Sequence, residues 1–183
     1  MQYLAGIDLG TSGAKISLTS LGGSVTYGVT ISYPFFSRFP GWAEQDPEDW
    51  WNAVCVGMHR LLTEHNILAS DVRGVGFSGQ MHGLVILDAE KNVIAPAILH
   101  CGARAGEEKN VVSREELIEW GILNPAFSGF QMTSLLWLKK HKPQEFKRIR
   151  YVLSPKDYVR YRLTGELGTE WTDASATLLF DVE

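Results

Sequence analysis

An α/β fold is predicted for this chain of 183 residues, and two observations carry the prediction. Three strand-like patterns open the sequence with turn residues between them, and an amphipathic helix with its own start signal follows directly. Strand-like and helix-like segments then alternate along the rest of the chain. That order suits a sheet with helices packed on it, and suits neither a bundle nor a sandwich.

YLAGIDL, Tyr3–Leu9, reads as a short buried strand, and residues 14–20 alternate as a half-exposed one. Leu21-Gly22-Gly23 turns the chain into a third strand over 24–32, and YPFFSRFPGWAEQ is broken by Pro34, Pro40 and Gly41. Asp46 then caps a helix with Pro47 at its first position. Trp50, Val54, Met58 and Leu61 fall on one face of that helix, which runs to about His65. Cys55 lies inside this pattern and reads as a small core residue. DVRGVGFSGQMHGLVILD gives two strands joined at Gly79–Gly83, and NVIAPAILH gives another despite Pro96. Residues 107–120 look helical with a break near Ser113. SLLWLKKHKPQEFKRI makes two short helices divided by Pro143, and YVLSPKDYVRYRLTG a strand and a helix stopped by Gly165. An apolar content of 45% suits one core, so one domain is expected over 1–183.

Charge and composition narrow the function. Seventeen basic and 21 acidic residues are spread along the chain for a net charge of −4, with no basic stripe, which argues against nucleic acid as a partner. No apolar run is long enough for a membrane span, and the N-terminus lacks a leader pattern, so a cytoplasmic protein is expected. Cys55 and Cys101 make no disulfide framework. His59, His65 and His141 sit on polar helix faces or ends, and no cluster has metal-ligand spacing.

GIDLGTSGAK, Gly6–Lys15, is the first stretch that carries chemistry. It lies within a hairpin, which excludes the strand-to-helix phosphate loop and the dinucleotide fingerprint. A tight loop here aims backbone N–H groups at one point, and Gly10, Thr11, Ser12 and Lys15 suit a phosphate. Asp8 would repel phosphate directly but can hold Mg²⁺ through water. The bland alternative is a glycine-rich hairpin with a solvated aspartate. GQMHG, Gly79–Gly83, is the second stretch: Gln80 and His82 can read hydroxyl groups, and Met81 can pack on the apolar face of a sugar. The alternative there is a histidine that merely closes a turn.

The first loop resembles that of the actin-like ATPase superfamily. Together with GWAEQDPEDWW, QMHG, LLW and SPKDYVRYRLTGELGTEWTDASAT, in that order, the chain is similar to the FGGY family of carbohydrate kinases. The resemblance implies a ribonuclease-H-like lobe with a mixed five-stranded sheet and helices on both faces. It implies ATP and Mg²⁺ as cofactors, and a ketopentose, D-xylulose foremost, contacted by Met81 and His82 and bordered by Gln80 and Arg104. Asp8 would support metal and phosphate chemistry, and Asp173 lies close to the cleft or caps the next helix. Trp42, Glu44 and Gln45 read as structural. The resemblance also implies a base and an adenosine pocket in a second lobe beyond this chain. By itself the chain is therefore expected to be inactive, and the complete enzyme to form a homodimer. Three positions depart from the family: His100 replaces Trp, Gly102 replaces Asp, and Ser134 replaces Lys. They keep ribulose, fuculose, gluconate or another polyol open as acceptor, and so too a non-catalytic sugar or phosphate sensor. An ATPase of chaperone or filament type would have no use for QMHG.

Overall fold

The computed structural model describes residues 1–180. Strands β1 (Tyr3–Leu9), β2 (Gly13–Ser20) and β3 (Thr26–Ser32) form an antiparallel meander, as the alternation predicts. A two-residue strand β4 (Glu44–Gln45) precedes helix α1 (Pro47–Glu64). The Oδ1 of Asp46 accepts from the Glu48 N–H at 2.9 Å, a cap worth about 1 kcal/mol. β5 (Val72–Gly79) returns to pair parallel with β1, which gives a mixed sheet in the order β3-β2-β1-β5.

The expected fifth strand does not join this sheet. β6 (Val85–Leu87) turns away after the Gly79–Gly83 loop and pairs with β8 (Tyr151–Leu153), while β7 (Ala97–Ile98) pairs with β4. Pro96 confines the strand expected over 92–100 to those two residues, because its ring removes a ladder donor. α2 (Arg114–Glu119), α3 (Gln131–His141), α4 (Pro143–Arg148), α5 (Pro155–Thr164) and α6 (Trp171–Ala176) complete the chain. Ser113 and Glu116 close a capping box at α2, and Gly165 ends α5 with φ +76°.

The main core lies on one face of the sheet. Leu9, Ile16 and Leu18 meet Trp50, Val54 and Leu61 of α1 and Tyr158 and Val159 of α5. Each such fully buried large side chain contributes about 1.5–3 kcal/mol. α5 lies beside α1, tied to it by a Tyr158 Oη–Glu48 Oε1 bond of 2.5 Å, so both helices cover the same face. The other face carries Leu4, Asp8, Lys15 and Ser78 in the open, which corrects the expectation of helices on both sides. Cys55 is also corrected: α1 buries Trp50, Ala53, Val54, Gly57 and Leu61, and Cys55 lies on the opposite, exposed side. A second cluster (Leu84, Ile86, Ile98, Trp137, Leu138) and a third (Leu117, Ile122, Met132, Leu178) hold the remaining elements.

Candidate active site

Register places the first loop's side chains. Asp8 on β1 stands opposite Lys15 on β2 and Ser78 on β5, and Lys15 stands opposite Thr30 on β3. One polar row thus crosses the open face of the sheet, with Asp8, Lys15 and Ser78 exposed. Tyr33 reaches under the loop, its hydroxyl pushed up in pKa by burial and then by the nearby Asp8 charge.

The loop's backbone is more informative than its side chains. The Gly10 carbonyl accepts from the Tyr33 hydroxyl, the Thr11 carbonyl from Gln45 Nε2 at 2.7 Å, and the Ser12 carbonyl from the Tyr33 N–H at 3.4 Å. Three successive carbonyls are therefore turned inward. The peptides are trans, so each N–H points opposite to the preceding carbonyl. Among the described residues, the Thr11 and Ser12 N–H groups have no backbone acceptor and face away from the core. Gly10 N–H donates to the Gly13 carbonyl at 3.0 Å and closes the turn. A side chain at Gly13 would lie 2.8 Å from the Ile31 carbonyl, so glycine is required there. Outward amides with an exposed lysine on the same hairpin have the donor chemistry that an anion cradle needs.

Gln45 connects this cradle to the second loop. It is 0% exposed, and its hydrogen bonds fix its orientation. Trp50 Nε1 can only donate and lies 3.0 Å from Gln45 Oε1, so Nε2 must face the carbonyls of Thr11 and Pro34. Gln80 Nε2 donates to the same Oε1 at 3.1 Å. Gln80 is thus buried as a strut between loops, and its side chain does not stand open with Met81.

Around Met81 and His82 the loop is pinned on several sides. Gly83 admits Pro155, whose Cγ would lie 2.6 Å from any Cβ there, and its carbonyl accepts from the buried Gln131 Nε2 at 2.9 Å. Met81 is 56% exposed. His82 adopts φ +61°, a conformation that a non-glycine residue holds only at a cost. Its ring stacks on Phe130 with centroids 4.2 Å apart. Gly129 lies directly against the His100 backbone, where a Cβ would overlap the carbonyl oxygen. The Nδ1 atoms of both His82 and His100 are shielded from solvent and have no protein partner. Burial holds the His82 pKa below its ordinary value, with Asp173 opposing and His100 adding to the depression.

Arg104 lies elsewhere. Its Nη1 donates to Glu44 Oε1 at 2.9 Å with the two side chains 3% and 8% exposed, and its guanidinium covers Trp42 at 3.9 Å. With Trp42, Glu44 and Trp137 it lines a cavity of about 240 Å³ that neither Met81 nor His82 reaches. Asp173 does not cap α6; Glu170 does, accepting from Thr172 and Asp173 N–H groups. A cavity of about 770 Å³ joins Ser78, Gly79 and Met81 to Lys156, Arg160 and Asp173. Sequence reasoning passed over Phe130 and Tyr33, which carry no local motif, and assigned no role to Lys156 although it lies within SPKDYVRYRLTG. It read Gln45 as structural without seeing that it bridges two loops.

Comparison with known proteins gives this arrangement relatives. A model of the N-terminal domain of the FGGY family of carbohydrate kinases matches residues 3–183. The chain is similar to the xylulose kinases of Bacillus subtilis, at 38% identity over 100% of its length, and Escherichia coli, at 40% over 97%. It spans 37% and 36% of those two proteins. Among solved structures, a xylulose kinase from Brucella ovis superposes with a TM-score of 0.93 at 35% identity, covering 98% of this chain and 37% of that one. A gluconate kinase from Lactobacillus acidophilus gives 0.89 at 26%, covering 99% and 37%. These likenesses bear out the expected fold class: a ribonuclease-H-like domain of the actin-like ATPase type, with a mixed sheet flanked by helices.

Proposed function

The chain belongs to the FGGY family of carbohydrate kinases as an N-terminal domain, and from that premise we propose that it supplies the sugar site and first phosphate loop of an ATP-dependent kinase acting on D-xylulose. The observation that carries the phosphate part is the inward turn of the Gly10, Thr11 and Ser12 carbonyls, which leaves outward amides beside Lys15. The residues suit Mg-ATP, which when bound would supply the transferable phosphoryl group and a neutralising cation. The Thr11 and Ser12 amides with Lys15 would face its phosphates, and Asp8 would hold the metal through water.

The sugar part rests on the Gly79–Gly83 loop. Met81 offers an exposed apolar surface, and the part-exposed imidazole of His82 beside it suits a sugar hydroxyl. Gln80 serves by fixing the loop to Gln45, and Arg104 by fixing β4 through Glu44. On the family likeness, a proton acceptor for the attacked hydroxyl outside these residues is also proposed, and with it that the chain alone is inactive. A homodimer and a cytoplasmic location are proposed on the same likeness. A second reading keeps the kinase and changes the acceptor to a sugar acid or another polyol. It is favoured by His100, which adds a polar ring beside His82 where the family carries Trp.

The test is ADP release by an enzyme of the relatives' length containing this domain, across pentuloses, polyols and aldonates, with His82→Ala in parallel. D-xylulose should give the highest kcat/KM, and the variant should lose about 100-fold or more. Turnover of no acceptor at all would sink the kinase reading, and an aldonate as best substrate would select the second.

A further inference from the structure

The cavity that Arg104 borders is lined from β4, β6, β7 and α3 and shares no residue with the loops of the kinase site. Its volume of about 240 Å³ is near the lower end of the range in which proteins hold small molecules, about 300 Å³. Leu84, Ile86, Ile98 and Leu138, all buried, give it an apolar floor. Trp42 and Trp137 stand along it with their rings edge to face at 5.3 Å, and Phe39 meets Trp42 edge to face at 4.9 Å. Such walls pack well against a further aromatic ring.

The charges around it do not cancel. Arg104 Nη1 is paired with Glu44 at 2.9 Å, and Lys142 Nζ lies 3.9 Å from Glu145 Oε1. Arg38 also lines the cavity, and among the described residues it has no ion-pair partner. Three cations against two carboxylates leave the lining with one positive charge in excess. Arg104 adds to the imbalance, because its side chain is 3% exposed and its Nε and Nη2 find no acceptor in the protein. A dianion would lose too much hydration over an apolar floor, whereas a single charge carried on an apolar body suits both surfaces.

We propose that this cavity binds a small aromatic monocarboxylate. Its ring packs against Trp42 and Trp137 over the Leu84 and Ile86 floor. Its carboxylate stays at the mouth, where Arg38, Lys142 and Glu145 are exposed, and faces the unpaired Arg38. Lys142 contributes less, since Glu145 already answers its charge. Neither Met81 nor His82 lines the cavity, so the proposal does not rest on the function proposed above.

The experiment is an NMR titration of this chain with benzoate, and with benzyl alcohol as its neutral counterpart. The indole N–H signals of Trp42 and Trp137 are assigned by their loss in Trp42→Phe and Trp137→Phe. Benzoate should shift both signals saturably with a dissociation constant of about 1 mM or tighter. Benzyl alcohol should bind about fivefold more weakly, and Arg38→Met should weaken benzoate by a similar factor while leaving benzyl alcohol unchanged. Ala95→Leu puts bulk into the lining and should abolish binding of both. Each variant is first checked for native amide dispersion, and the exposed Arg38→Met carries the test should Ala95→Leu fail to fold. Four results would each overturn the proposal: no saturable shift with benzoate, equal affinity for benzyl alcohol, benzoate binding indifferent to Arg38→Met, or binding that survives in folded Ala95→Leu. None of them bears on whether the complete enzyme is a kinase, so the two readings fail separately.

Discussion

Replacing Gln45 with leucine tests the bridge between the two loops. Leucine matches the volume closely and suits a site that is 0% exposed, so packing alone predicts little change. The hydrogen bonds predict otherwise. Gln45 donates to the Thr11 carbonyl at 2.7 Å and the Pro34 carbonyl at 3.1 Å, and accepts from Trp50 at 3.0 Å and Gln80 at 3.1 Å. Losing four bonds at about 1 kcal/mol each, offset in part by the leucine methyls, comes to about 3 kcal/mol. That is a large share of a domain's total stability, commonly about 5–15 kcal/mol. With a urea m-value of about 2 kcal/mol/M, the unfolding midpoint should fall by about 1.5 M without a change in slope. Gln45→Glu should be worse at neutral pH, since it sets a second oxygen against two carbonyls and buries a charge. A midpoint within about 0.3 M of wild type for Gln45→Leu would refute the reasoning and make the network incidental.

Arg104→Met strands the buried Glu44 carboxylate and should cost about 3–5 kcal/mol in urea unfolding, while the double variant Glu44→Leu/Arg104→Met recovers most of that loss. His82→Gly should be more stable than His82→Ala by about 1 kcal/mol in thermal unfolding, because glycine adopts φ +61° freely; equal melting points would show that the backbone there is unstrained. The Glu170 carboxyl is held down to about 2 by bonds from Thr172 and Asp173, below its ordinary 4.5. A depressed folded pKa means its contribution is complete above about pH 4.5 and is lost as pH falls toward 2. The side chain is 45% exposed, so solvent screens the effect, and Glu170→Gln should simply flatten the stability curve across that window.

Much of the fold was legible because its signals are local. The period of two in residues 3–32, the Asp46-Pro47 start and Gly165 as a stop each act within a few residues of chain, and each element formed where those signals stand. GIDLGTSGAK was likewise legible as a hairpin loop, since strand alternation on both sides excludes a helix after it. Cys55 was misread because one apolar residue inside a helix does not reveal its angle from the buried stripe. The count of sheet strands was misread because pairing is a choice among partners distant in sequence: β8 took β6 and left the main sheet with four strands.

The site divides along the same line. By itself the sequence determined where the two glycine-bounded loops fall, Gly10–Gly13 and Gly79–Gly83, since glycines and turn residues write such features locally. Tertiary structure alone decided that Gln80 became a strut, that Arg104 was sealed against Glu44 and Trp42, and that Lys156 gathered three carboxylates. Those outcomes depend on which buried donor meets which buried acceptor. Removal from water makes each such pairing decisive, and residues 35 or 60 positions apart are brought together by the fold alone.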